Sequence, residues 1–89
     1  MIQREVTVRN RLGLHARAAA RFVHTANGFK SRVTVSRAGR TMDGKSILGI
    51  LLLAASQGTA LQLGADGDDE TAAVDALAAL VESGFGEGT

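Results

Sequence analysis

Ser31-Arg32-Val33-Thr34-Val35-Ser36-Arg37-Ala38-Gly39-Arg40-Thr41-Met42-Asp43-Gly44-Lys45-Ser46 admits two readings, and they lead to different folds. Its second half, from Gly39 to Ser46, matches the phosphate-loop pattern of Gly, four residues, then Gly-Lys-Ser. That loop belongs after a buried strand inside a multi-unit parallel sheet, with each βαβ unit taking about 30 residues or more. The chain has 89 residues, so little of it remains after Ser46 to build such a sheet. The other reading follows the side chains. Val33 and Val35 alternate with polar residues, Ala38-Gly39 makes a turn, and Arg40 to Asp43 returns as a short strand. This hairpin reading excludes a nucleotide hydrolase and requires an antiparallel sheet.

Working outward, residues Ile2 to Arg9 place Ile2, Val6 and Val8 at even positions and read as a first strand, with Arg4 breaking the alternation. A polar loop containing Gly13 leads into a helix over Ala16 to Asn27. There Ala16, Ala19, Ala20, Val23 and Ala26 share one stripe, Arg17, Arg21 and His24 lie opposite, and Gly28 supplies the stop. Beyond the hairpin, Ser46 caps a second helix from Ile47 to about Ala55, ended by Gln57-Gly58. Leu61, Leu63 and Ala65 alternate as a fourth strand. Asp68 and Asp69 open a last helix whose stripe is Ala73, Val74, Leu77, Leu80 and Val81, with the negative charge at its positive end.

The order β-α-β-β-α-β-α in one short chain predicts an α+β fold: an open-faced sandwich in which a four-stranded antiparallel sheet is covered on one face by three helices. Residues 1–89 form a single domain, with 84–89, Gly84-Phe85-Gly86-Glu87-Gly88-Thr89, expected to fray as a flexible tail.

Composition narrows the function. The apolar fraction is 45% and the charged fraction 21%, as in ordinary globular proteins. Net charge is +1, too weak a field to announce nucleic acid, although every Lys and Arg lies between Arg4 and Lys45. Three Phe and no Trp or Tyr leave no stacking platform for RNA. The absence of cysteine removes disulfides and thiolate metal sites, and no metal or other cofactor is expected. A reducing cytoplasm is the simplest compartment. The N-terminus lacks a signal-peptide core, and the apolar run Ile47 to Ala55 is too short for a bilayer.

His15 stands where the polar loop enters the first helix. Helix N-termini offer unpaired backbone N–H groups and the positive end of the dipole, so they stabilise anions. Arg17 can add a charge-assisted contact to the same anion. An ordinary imidazole titrates near about 6.5, so a ring nitrogen is free to attack phosphorus at neutral pH. Nucleophile, anion site and counter-charge fall within three residues, the grouping a covalent phosphohistidine requires. From spacing alone, a polar residue at a helix cap beside a solvated Arg17 is the commoner description.

The second helix carries more apolar surface than one buried stripe needs. Ile47, Leu48 and Leu51 read as an exposed docking patch beside His15, with Arg21 and His24 joining Arg17 in a basic rim for acidic partners. A phosphoserine at position 46 would add about −1.5 to −2 charge there and repel such partners.

Gly13-Leu14-His15-Ala16-Arg17, with Ala19-Ala20 and Phe22-Val23, resembles the active-site segment of the HPr family, the histidine-containing phosphocarriers of the bacterial phosphoenolpyruvate-dependent phosphotransferase system. Lys45-Ser46-Ile47-Leu48-Gly49-Ile50-Leu51 resembles that family's regulatory serine motif. The resemblance runs from Ile2 to about Phe85. It implies that His15 accepts a phosphoryl group from phosphorylated enzyme I and donates it to enzyme IIA, that Arg17 steadies the group, and that Ser46 is the target of an HPr kinase/phosphorylase. It implies a monomeric carrier in sugar transport, not an enzyme, or alternatively a nitrogen-branch module signalling by its phosphorylation state. The family usually has Pro where this chain has Ala18. Alanine keeps the helix and loses the stiffness, so a looser but intact site is expected.

Overall fold

The computed structural model describes residues 1–87. Four strands, β1 (Ile2–Thr7), β2 (Arg32–Arg37), β3 (Arg40–Asp43) and β4 (Ala60–Asp66), form one antiparallel sheet in the order β1-β4-β2-β3. Helices α1 (Ala16–Asn27), α2 (Ile47–Leu52) and α3 (Glu70–Glu82) cover it, and a short 3-10 turn spans Gly84–Gly86. The expected sandwich is present. No described helix is long and apolar enough to cross a membrane.

The hairpin reading holds. Arg37 pairs with Arg40 across a two-residue turn in which Ala38 (φ 51°) and Gly39 (φ 82°) are both left-handed, as a type I′ turn requires. Gly44, the second glycine of the apparent phosphate loop, has a packing reason instead. Its N–H donates to the Val33 carbonyl at 2.8 Å, and a Cβ there would lie 2.4 Å from Val33 Cγ1.

Pairing register puts the apolar residues of all the long strands on one face. Val6 faces Leu61, Val35 faces Leu63 and Val33 faces Ala65, and all six are buried. Against them pack Ala19, Phe22, Ile50, Leu77 and Val81, while Gln3, Glu5 and Gln62 point to water. Each large apolar side chain so buried contributes about 1.5–3 kcal/mol.

Four expectations need correction. The buried stripe of α1 is Ala18, Ala19, Phe22, Val23 and Ala26, whereas Ala16 and Ala20 are exposed. Alanines are interchangeable by hydropathy. Burying Phe22 removes far more apolar surface than burying a methyl, so it sets the rotation of the helix. Strand β1 ends its ladder at Thr7, although Val8 still exchanges bonds with Gly58 and Thr59. Helix α2 stops at Leu52, not Ala55, because Ala54 turns left-handed (φ 50°) and Arg37 Nη1 donates to the freed Leu53 carbonyl at 2.7 Å. Finally, residues 84–87 are not frayed. Phe85 is 1% exposed in the core, and a lone aromatic among glycines thus anchors the segment. Residues 88 and 89 of the expected tail lie outside the described residues.

Candidate functional site

The loop after β1 is held from both sides. Leu14 is buried and its N–H donates to the Ala55 carbonyl at 2.9 Å. Gly13 takes φ +68° with its α-carbon pressed on that same carbonyl, where a Cβ would come within 2.4 Å. Any side chain at position 13 is therefore excluded twice, by conformation and by space. The buried Asn10 amide completes the loop, its Nδ2 donating to the Gly13 carbonyl at 2.7 Å.

This framework delivers His15 to the N-cap of α1 with extended backbone (φ −76°, ψ 177°). Its carbonyl accepts the first helical bond, from Ala19 N–H at 2.9 Å. Its side chain caps as well, Nδ1 accepting the Arg17 N–H at 3.3 Å. An acceptor nitrogen carries a lone pair, so the ring hydrogen sits on Nε2. Nε2 meets the Glu87 carboxylate, Nε2 to Oε2 2.5 Å, and Glu87 Oε1 accepts from Asn10 Nδ2 at 2.9 Å. Those contacts hold the Glu87 carboxyl below the ordinary carboxylate range. The Asn10 amide is the largest cause; burial opposes it, and the His15 contact and then the charge of Arg21 add to the lowering.

The ring is 28% exposed and opens on a cleft of about 770 Å³ lined by Arg11, Leu12, Ala16, Arg17, Arg21 and Glu87. Among the described residues none of these three guanidiniums forms an ion pair with a carboxylate. Arg21 Nη1 donates to the Phe85 carbonyl, so Arg21 ties down the C-terminal turn beside the histidine. His24 is exposed one turn further along, in a groove with Arg17, Ala20 and Leu80. Ala18 is wholly buried beneath the first turn.

The second predicted site is separate in character. Ser46 caps α2, its Oγ accepting the Gly49 N–H at 3.1 Å. Lys45 Nζ is engaged with the Phe29 carbonyl at 2.8 Å. Ile47, Leu48 and Leu52 are 44%, 67% and 50% exposed, while Leu51 packs half-buried against the core. The exposed apolar patch of α2 therefore contains Leu52 in the place expected for Leu51.

Three polar residues of the site, Arg11, Asn10 and Glu87, escaped the sequence reading. Asn10 and Glu87 lie 77 positions apart, and neither stands in a motif. The only signal was Phe85, whose burial brings Glu87 to the ring.

Comparison with known proteins gives the family. The family model described as "PTS HPr component phosphorylation site" matches residues 2–83. The chain is 51% identical to the phosphocarrier protein HPr of Xylella fastidiosa over all of both chains. Among solved structures, an HPr from Thermoanaerobacter tengcongensis superposes with a TM-score of 0.94 at 46% identity, covering 98% of each chain. The Bacillus subtilis catabolite repression protein Crh, solved as a domain-swapped dimer, gives 0.77 at 45% identity, with 94% of this chain and 97% of that one covered. The chain belongs to the HPr family of phosphocarriers of the phosphotransferase system.

Proposed function

We propose that this chain receives a phosphoryl group on Nδ1 of His15 from phosphorylated enzyme I and passes it to enzyme IIA components. The observation that carries the reading is the placement of Nδ1. It accepts the Arg17 N–H at a helix N-terminus, on a ring that lines a cleft together with three arginines. A phosphoryl group bonded there takes over the Arg17 N–H and the positive end of the α1 dipole. Arg17, with Arg11 beside it, balances the charge on its oxygens. The cleft is open to the surface and lined mainly by cations, which suits relay between proteins better than turnover of a small substrate.

The exposed Ile47, Leu48 and Leu52 form the apolar centre of the docking surface, and Arg17, Arg21 and His24 its basic rim. Leu51 supports the patch from beneath. Phosphorylation of Ser46 by an HPr kinase/phosphorylase adds charge within this surface and weakens docking while leaving the fold intact. The carrier acts as a cytoplasmic monomer. Residues 1–89 work as one domain, and the buried Ala18 keeps the first turn of α1 in place with less stiffness than the family proline.

The test is incubation with phosphoenolpyruvate and enzyme I. The wild-type chain gains one acid-labile phosphate by intact mass, and His15→Ala gains none. Equal labelling of the variant refutes the reading. A second reading, a module that regulates by its phosphorylation state, draws on the likeness to Crh. It predicts that His15 is labelled but that no enzyme IIA accepts the group.

A further inference from the structure

The contact between His15 Nε2 and the Glu87 carboxylate joins residues 72 positions apart. Glu87 reaches the ring by a costly route. Gly84 (φ 69°), Phe85 (φ 58°) and Gly86 (φ 72°) are three consecutive left-handed residues, one of them not glycine. Buried Phe85 and the bond from Arg21 hold that turn, and Glu87 N–H closes it on the Gly84 carbonyl at 3.0 Å. A left-handed non-glycine residue persists only where its surroundings over-determine it. Here the result is a carboxylate with one oxygen on Nε2 of His15 and the other on buried Asn10, whose own Oδ1 has no partner among the described residues.

We propose that Glu87 is a positioning residue for His15 that keeps a hydrogen on Nε2 through the whole transfer cycle. The inference rests on the reading of His15 as the phosphoryl acceptor. In the free carrier the Nε2–H to Glu87 bond leaves the lone pair on Nδ1. As the Nδ1–P bond forms, the donor–P bond breaks and its electron pair leaves with the donor. The ring then carries positive charge, and the neighbouring carboxylate stabilises it without moving a proton. On donation the Nδ1–P bond breaks, its electron pair returns to Nδ1, and the ring leaves as neutral imidazole with Nε2–H in place. Without the carboxylate, a phosphorylated ring that loses this hydrogen at alkaline pH must leave as imidazolate, a much poorer leaving group. The charged groups facing the ring are Glu87 from the C-terminal turn, Arg11 from the loop, and Arg17 and Arg21 from α1; α2 contributes none.

The experiment uses the full chain, Glu87→Gln and Glu87→Ala. Ring 15N shifts of His15 in the unphosphorylated proteins report which nitrogen bears the hydrogen. Donation from each phosphorylated protein to one enzyme IIA, followed from about pH 7 to pH 9, reports the leaving group. The wild type should show a single Nε2–H tautomer and a flat profile. Glu87→Gln, which keeps an oxygen acceptor without the charge, should keep the tautomer and donate about tenfold more slowly at the alkaline end. Glu87→Ala should lose both. Wild-type shifts and a wild-type profile in both variants overturn the proposal, because an anchoring role for the turn would move neither. If the wild type takes no phosphate on His15, it is the carrier reading that fails, and the 15N shifts still decide the contact.

Discussion

Two helix N-termini in this molecule are capped by a side chain, His15 on α1 and Ser46 on α2, and beyond the cap they have little in common. Around His15 stand Arg11, Arg17 and Arg21, with Glu87 on the far ring nitrogen. Around Ser46 stand exposed Ile47 and Leu48, and the adjacent Lys45 ammonium is already committed to Phe29. On the proposed reading, the first cap binds a phosphoryl group and also releases it, since imidazole is a leaving group and the arginines balance charge in both states. The second can carry phosphate only as a fixed charge, because a serine ester has no comparable leaving group. A cap supplies the anion site, and its neighbours decide whether the anion is cargo or signal.

The largest effect that separates the two ends should come from Phe85→Ala. It removes a wholly buried ring, costs about 3–5 kcal/mol by denaturant unfolding, and frees Glu87 from His15 while leaving the α2 cap unchanged. Arg17→Ala should slow transfer from enzyme I about 100-fold, roughly 2.7 kcal/mol, with unchanged thermal unfolding. A loss of the same size on Ser46→Ala would erase the distinction between the two caps. Ser46→Asp keeps a capping carboxylate and should weaken binding to enzyme I about tenfold in titration calorimetry, near 1.4 kcal/mol. Labelling of His15 by a small donor such as phosphoramidate should stay at the wild-type rate, which separates docking from chemistry.

The smallest effect concerns the third helix N-terminus. Asp69 does not cap its own helix; it accepts from Ser31 Oγ at 2.5 Å and from the Lys30 and Ser31 N–H groups at 2.8 and 2.9 Å. Ser31 Oγ first and the Lys30 N–H next hold its carboxyl below the ordinary 3.8. A lowered folded-state value means that this stabilisation is present above 3.8 and is lost as the pH falls through the folded value. Glu70 is lowered as well, by the Gly67 N–H and then by the N-terminal ammonium. Calorimetry from about pH 6 down to pH 2.5 should show Tm falling at the acid end, less steeply in Asp69→Asn. An identical slope in that variant would contradict the assignment.

The sequence made the Ser46 end more legible than the His15 end. Ser46, the exposed apolar helix and the hairpin before it are all local features, with residue and partner a few positions apart. The order of elements was legible for the same reason, since alternation and turn residues act within one strand or turn. The rotation of α1 was not legible, because a run of alanines has no large side chain to mark the inner face until Phe22. The end of α2 was hidden in a leucine run that a left-handed Ala54 interrupts without any sequence mark. At the His15 end, Arg17 and the cap were visible, but Asn10 and Glu87 meet only after the sheet and α3 have folded. Their pairing depends on where Phe85 is buried, and no spacing rule in the chain encodes that.

The proposed phosphoryl-carrying atom is Nδ1 of His15. The most direct test is 15N–31P correlation on chain labelled at His15 and phosphorylated by enzyme I and phosphoenolpyruvate. One-bond coupling of phosphorus to Nδ1 is expected, with Nε2 still bearing hydrogen. Coupling to Nε2, or phosphate on any residue other than His15, would contradict it.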